Sequence, residues 1–204
     1  AGAGEYYVEE TYRDPCADAE RPPREEIALS PEQQAAAEQL QEAFRRHEGA
    51  TALLFGVTGS GKTQVFMKVI DLALAAGEQA IVLVPEIALT PQTIRRFRGY
   101  YGQRVAVLHS GLSMSQRLDE WKRAKRGLVD VVVGTRSAVF APLDNLGLII
   151  LDEEQEASYK SENAPRYHAR EVAKYRCVQN RALLVLGSAT PSIETMYQAR
   201  EGQI

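Results

Sequence analysis

Six short apolar runs punctuate this chain at near-regular intervals: "TALLF" (51–55), "AIVLV" (80–84), "RVAVLH" (104–109), "VDVVVG" (129–134), "LGLIILD" (146–152) and "ALLVLG" (182–187). Between them lie stretches of helical spacing. Gly61 to about Ala76 places Val65, Val69, Leu72 and Ala76 on one face, and further helices are expected near 91–101, 115–125 and 169–178. A last helix starts near Pro191. Runs this short and this uniformly apolar are strands buried on both faces. Strand and helix in alternation require crossovers, so the expected fold is α/β, a mostly parallel sheet with helices on both faces. An additional helix opens at "LSPEQQAAAEQLQEAF": Ser30 suits an N-cap, Pro31 the first helical position, and Gln33 can close a capping box.

Upstream, residues 1–28 are acidic, carry Pro15, Pro22 and Pro23 and show no period, as expected of a linker or extended arm. No apolar run approaches the roughly 18 residues of a membrane span. The N-terminal residues show no basic-then-apolar leader pattern, and a cytoplasmic location is expected. Cys16 and Cys177 are far apart and form no CxxC, which argues against a zinc or disulfide framework. His109 and His168 also lack acidic or cysteine neighbours at ligand spacing. The net charge of −3 conceals an asymmetry: residues 1–48 hold 12 acids and 5 bases, residues 95–136 hold 10 bases and 3 acids. The basic block leaves a polyanionic partner open.

"GVTGSGKT" (56–63) follows the first apolar run and opens a helix. In that context G-x-x-x-x-G-K-[ST] is a phosphate cradle. Glycines let backbone N–H groups converge on phosphate oxygens, and the helix N-terminus adds positive potential. Gly56, Val57, Thr58, Gly59, Ser60, Gly61, Lys62 and Thr63 form the candidate site, with Lys62 on the β- and γ-phosphates and Thr63 on Mg²⁺. A hydrolase of this kind needs an acid at the end of another strand, and "LIILDEEQ" (148–155) supplies one. Asp152 is the candidate metal partner and Glu153 the group that activates water. "LGSATPS" (186–192) places Ser188 and Thr190 at a third strand end, able to bond the neighbouring carboxylates and also to cap the next helix.

Two loops, "LVPEIALTPQT" (83–93) and "VGTRSAVFAP" (133–142), follow strands on the edge where open α/β sheets bind ligands. Thr90, Arg136 and Ser137 offer hydroxyls and a charge-assisted donor of the kind that tracks phosphates. "SYKSENAPRYHAR" (158–170) interleaves Tyr159, Lys160, Arg166, Tyr167 and Arg170. Rings of this kind can stack on unpaired bases while cations hold the backbone.

Taken together and in this order, the phosphate loop, "DEEQ" and "SAT" resemble the first RecA-like lobe of superfamily 2 helicases. With "VLHSGLS", "GTRSAVFAP", "VPEIALTPQT" and "SYK…YHAR", the sequence resembles the PriA family of replication-restart helicases over about residues 29–204. The resemblance implies a RecA-like P-loop NTPase lobe, ATP and Mg²⁺ as cofactors, and 3′-to-5′ translocation on forked or single-stranded DNA. It further implies primosome and single-strand-binding proteins as partners of the larger protein. Gln33 matches the family's adenine-contacting glutamine. Residues 158–170 match the aromatic-rich loop that couples DNA binding to hydrolysis. The family reads DEEH where this chain has Gln155; an amide can bridge by hydrogen bonds but carries no charge.

The family's N-terminal DNA-binding domain, second lobe and cysteine-rich zinc insertion are not in this sequence. The chain is therefore expected to be one lobe of a larger protein, monomeric and weakly active alone, with zinc only in the missing part. Two other readings of the same residues are a small-molecule kinase and a nucleotide-binding module without turnover. A kinase needs an acceptor pocket and lid that no segment supplies, and Glu153 favours turnover.

Overall fold

The computed structural model describes residues 28–204; the arm expected over 1–28, and Cys16 with it, lie outside the described residues except Ala28. In chain order the elements are α1 (Pro31–Arg45), β1 (Thr51–Phe55), α2 (Lys62–Ala75), β2 (Gln79–Leu83), α3 (Pro91–Tyr101) and β3 (Val105–Leu108). Then come α4 (Met114–Lys125), β4 (Val131–Gly134), β5 (Leu146–Leu151), α5 (Ala169–Asn180), β6 (Leu183–Ser188) and α6 (Ile193–Arg200). Every expected strand forms. The six join one sheet in the order β1-β6-β5-β2-β4-β3, and each pairing between them is parallel.

Alternation along each strand divides the core in two. Val82, Val133, Ile150 and Val185 pack against α1, α2 and α3, through Phe44, Phe66, Ile70 and Phe97 among others. Ile81, Val132, Ile149 and Leu184 face the other way, against Ala124 of α4 and Ala173 and Cys177 of α5. Helices thus cover both faces. Strand β5, in the middle, is buried at all six positions. Each fully buried aliphatic side chain of this size contributes about 1.5–3 kcal/mol. Burial pushes the Cys177 thiol up to about 12, so it stays protonated at neutral pH.

Local signals set most boundaries. Ser30 and Gln33 form the reciprocal capping box expected of them. Ser113 and Gln116 form a second, which starts α4 at Met114, one residue before the expected start. Two expectations need adjustment. Strand β1 reads like the central strands but is an edge strand: only Leu54 is buried and Phe55 is exposed. Helix α2 buries Val65, Phe66, Met67, Val69, Ile70 and Ala73, a wider stripe than the four residues expected. Leu72 is half-buried, and Ala76 is exposed beyond the last turn. The stripe widens because α2 is covered by the sheet below it, by α1, which shares its core, and by α3.

Candidate nucleotide site and its flanking loops

All six strands end at the same edge of the sheet, and the ends of β1 and β5 open onto a cavity of about 410 Å³. Thr58, Gly59, Gly61, Lys62 and Thr63 form one wall, and Asp152 and Glu153 another. The loop's local conformation follows from its glycines. Gly61 has φ +79°, and a Cβ there would lie 2.3 Å from Gln33 Nε2. The left-handed φ is the constraint that favours glycine, and the Gln33 amide would have to shift to admit any side chain. Gly61 is also the N-cap of α2 and offers no side-chain cap, so the helix start that lines the cavity, at Lys62 and Thr63, carries uncapped N–H groups. Gly56, Val57 and Ser60 belong to the same loop but are not on the cavity wall.

Gln33 lines the cavity from α1, and its amide is occupied: Oε1 accepts from Ser30 N–H at 2.8 Å and Nε2 donates to Ser60 C=O at 2.7 Å. It therefore holds the phosphate loop against α1. Lys62 Nζ donates to Gly56 C=O at 2.9 Å and lies 3.6 Å from Glu153 Oε1. Its side chain is almost buried, which strengthens its field in the cavity.

The carboxylates are arranged unequally. Asp152 Oδ1 accepts from Glu153 N–H at 3.0 Å. Burial and the adjacent Glu153 charge push the Asp152 carboxyl up to about 6, against the pull of that N–H and of Lys62. Glu153 occupies the left-handed region, φ 48°, a conformation that costs a non-glycine residue energy and that recurs at functional sites. Gly187 on β6 makes room for this turn: a Cβ there would meet Phe66 at 2.5 Å and Asp152 Oδ1 at 3.3 Å.

Gln155 completes a relay. Its Nε2 donates to Glu153 Oε2 at 2.9 Å, and its Oε1 accepts from the Ser188 hydroxyl. Thr190 N–H donates to Ser188 Oγ at 3.0 Å. Ser188 was expected to bond a carboxylate directly; it reaches Glu153 through the Gln155 amide instead, because an amide offers a donor to the acid and an acceptor to the hydroxyl. Gly56 N–H donates to Ser188 C=O at 3.1 Å, which ties the same strand end back to the phosphate loop.

The sequence pattern of the DEAD/DEAH box helicase family matches residues 30–199. The chain belongs to the DEAD/DEAH box helicase family. It is 52% identical over 194 residues to replication restart protein PriA of Bacillus subtilis (strain 168), covering 95% of this chain and 24% of that protein. It is 48% identical over 190 residues to replication restart protein PriA of Treponema pallidum (strain Nichols), covering 93% of this chain and 28% of the relative. The chain thus spans about a quarter of the length of these curated relatives. Among solved structures, RecG bound to a three-way DNA junction superposes with a TM-score of 0.64 at 26% identity, over 86% of this chain and 23% of that one. The helicase domain of Hef from Pyrococcus furiosus, at TM-score 0.57 and 20% identity over 83% of this chain and 35% of that one, shares the fold. RecA-like helicase architecture and the six-stranded parallel sheet agree.

The residues read as a DNA face divide into two sets. Thr90, Ser137, Lys160 and Arg166 are exposed on loops at the C-terminal edge of the sheet. Tyr167 is half-buried, edge-on to Phe140 at 5.0 Å. The other three are committed inside the molecule. Tyr159 is fully buried, and its one hydroxyl proton is shared between Asp152 C=O at 2.6 Å and Leu83 C=O at 3.1 Å. Its ring cannot stack on a base; it pins the 156–168 loop to the strand ends that carry the carboxylates. Burial, with Asp152 nearby, raises the Tyr159 phenol further above its ordinary range. Arg136 donates to Ser158 C=O at 3.0 Å and Lys160 C=O at 2.6 Å and sits 5.9 Å from the Tyr167 ring centre. It joins the two loops rather than reaching outward. Arg170 Nη1 donates to Glu154 at 2.9 Å and to the Ser192 and Thr195 hydroxyls at 3.1 Å each.

Two functional candidates went unread in the sequence. Arg96 on α3 also lines the cavity. Glu154, third in "DEEQ", has a fully buried side chain that accepts from Ser192 N–H at 2.7 Å as well as from Arg170, and so fastens the DEEQ turn to the start of α6. Nothing local separates Arg96 from Arg95. For Glu154, the basic residue 16 positions downstream is the one signal.

Proposed function

We propose that this chain is the ATP-binding and hydrolysing motor lobe, residues 29–204, of a 3′-to-5′ DNA helicase acting in replication restart. The observation that carries the reading is that Lys62 and Glu153, distant in sequence, stand 3.6 Å apart on one cavity whose walls are the phosphate loop and the DEEQ turn. The names of the two relatives described above, both replication restart proteins, and of RecG on a DNA junction support the biological setting. The larger protein would then engage forked or single-stranded DNA, primosome proteins and single-strand-binding protein, and would hold zinc outside this lobe. The location that follows is cytoplasmic; among the described residues no helix is long and apolar enough to cross a membrane.

The donor set fits a Mg²⁺-nucleotide. Uncapped N–H groups and Lys62 suit phosphate oxygens, and Asp152, held at about 6 by burial and its acidic neighbour, would be relieved by a cation. Thr63 and Asp152 would hold Mg²⁺, which offsets charge between the phosphates. The chain's own residues do the rest. Lys62 binds and orients phosphate. Glu153, fixed by its turn and by Gln155, accepts a proton from water. Gln155 and Ser188 carry the position of that carboxylate to the SAT loop. Tyr159 and Arg136 couple the aromatic loop to the same strand ends. An arginine supplied from outside a P-loop site is worth about 10³–10⁵ in rate, so the lobe alone should turn over slowly.

Titration of a fluorescent ADP analogue with Mg²⁺ tests the site. Lys62→Ala should weaken binding by about 1.5–3 kcal/mol, the value of a charged hydrogen bond. Equal affinity in the two proteins would refute the phosphate assignment.

A further inference from the structure

The cavity has a second cation that the motif chemistry does not use. Arg96 lies one turn into α3, between buried Ile94 and Phe97, and those two anchors fix which way it projects. Thr90 caps the helix, accepting from Thr93 N–H at 3.2 Å, and the Tyr101 hydroxyl ties α3 to Met67 C=O of α2 at 3.2 Å. The backbone that carries Arg96 is therefore held at both ends of the helix.

From there Arg96 reaches the wall of the same cavity that Asp152 and Glu153 line. It is exposed and forms no ion pair with any described residue. Lys62, by contrast, is engaged with Gly56 and Glu153. Placement within the sheet gives Arg96 a side. Gln33 comes from α1, which packs over β1 and β6, whereas α3 packs over β4 and β3. The two residues thus enter from opposite flanks of α2, Gln33 at the flank of the phosphate loop and Arg96 at the flank of the carboxylates.

We infer that Arg96 contacts the terminal phosphate of a bound nucleoside triphosphate and makes this lobe distinguish triphosphate from diphosphate. The inference rests on the nucleotide reading above. A phosphate chain that begins at the N-terminus of α2 and runs toward Asp152 and Glu153 runs toward the flank from which Arg96 enters the cavity. A guanidinium there offers parallel N–H donors to two oxygens of one phosphoryl group, which an ammonium cannot do. It acts on binding; the proton transfer remains with Glu153.

The test is competition of ATPγS, ADP and AMP against a fluorescent ADP analogue, all with Mg²⁺, on the 204-residue chain. Wild type, Arg96→Gln, Arg96→Lys, Arg95→Gln and Lys62→Ala are compared, with urea midpoints to confirm folding. Arg96→Gln should lose about tenfold in affinity for ATPγS, a charged hydrogen bond at the low end of its range, with threefold or less for ADP and no change for AMP. Arg96→Lys should recover only part of the ATPγS loss, and Arg95→Gln should match wild type. An unchanged ATPγS-to-ADP ratio in Arg96→Gln overturns the inference. If Lys62→Ala still weakens ATPγS and ADP in that case, the nucleotide reading stands without it. Failure of the wild-type chain to bind any of the three overturns both.

Discussion

The nucleotide cavity and the 158–170 loop are both rich in charged and polar residues, yet they obey different rules. In the cavity, function is set by backbone geometry over a few consecutive residues. Gly61 is favoured as glycine by its left-handed φ of +79°, a property of the loop itself, and Lys62 follows it onto the first turn of α2. In the 158–170 loop, function depends on which side chains the rest of the molecule claims. Tyr159 goes into the core, Arg136 and Arg170 are tied down, and Lys160 and Arg166 are left outside. The outward set is what remains after the loop has been fastened to the strand ends.

That contrast can be broken at its internal fastenings, and the largest effect should come from Glu154. Removing the buried partner of this ion pair leaves Arg170 only the exposed Glu171 carboxylate, 3.3 Å from its Nε. Glu154→Ala should destabilise the chain by about 3 kcal/mol or more in urea unfolding. A loss under about 0.5 kcal/mol, as at ordinary surface sites, would mean that Arg170 is free to face outward after all.

Asp152 sharpens the cavity side. Its folded pKa of about 6 lies above its ordinary 3.8, so between those values the folded chain binds more protons than the unfolded one. Stability contributed in this way is complete below the unfolded value and is lost as pH rises through about 6. At about 1.4 kcal/mol per unit, the loss is no more than about 3 kcal/mol. Asp152→Asn should flatten this slope and raise stability at pH 8, read from urea midpoints across pH 5 to 8.

The smallest effects separate the two classes of loop residue. Tyr159→Phe keeps the buried ring and loses a hydroxyl with two carbonyl partners, at a cost of about 1–2 kcal/mol. Arg166→Ala should change stability by less than about 0.5 kcal/mol while weakening single-stranded DNA binding by the larger protein. If Tyr159→Phe were silent in stability and damaging to DNA binding, Tyr159 would belong to the outer set.

The same contrast explains what the sequence could disclose. All six strands were legible because each is a short apolar run, and the helix start at Ser30 because its cap is local. The P-loop and DEEQ turn were legible because their spacing is short and their flanking elements are strongly patterned. The burial of Tyr159 was not, since its partners Leu83 and Asp152 sit on two different strands. Nor was the edge position of β1, because strand order is a property of the whole sheet and "TALLF" reads like any central strand. Gln155 is intermediate. Its departure from the family's histidine is plain in the sequence, but its bridge from Glu153 to Ser188 needs β6 beside β5.

Glu153 as the proton acceptor, on the cavity it shares with Lys62, is tested most directly by measuring nucleotide affinity and DNA-stimulated ATP hydrolysis together, in the full-length protein carrying Glu153→Gln. The amide is isosteric but cannot take a proton, so hydrolysis should fall about 10²–10⁴-fold while nucleotide affinity changes little. Hydrolysis near the wild-type rate, or a loss of binding as large as the loss of turnover, would contradict the account.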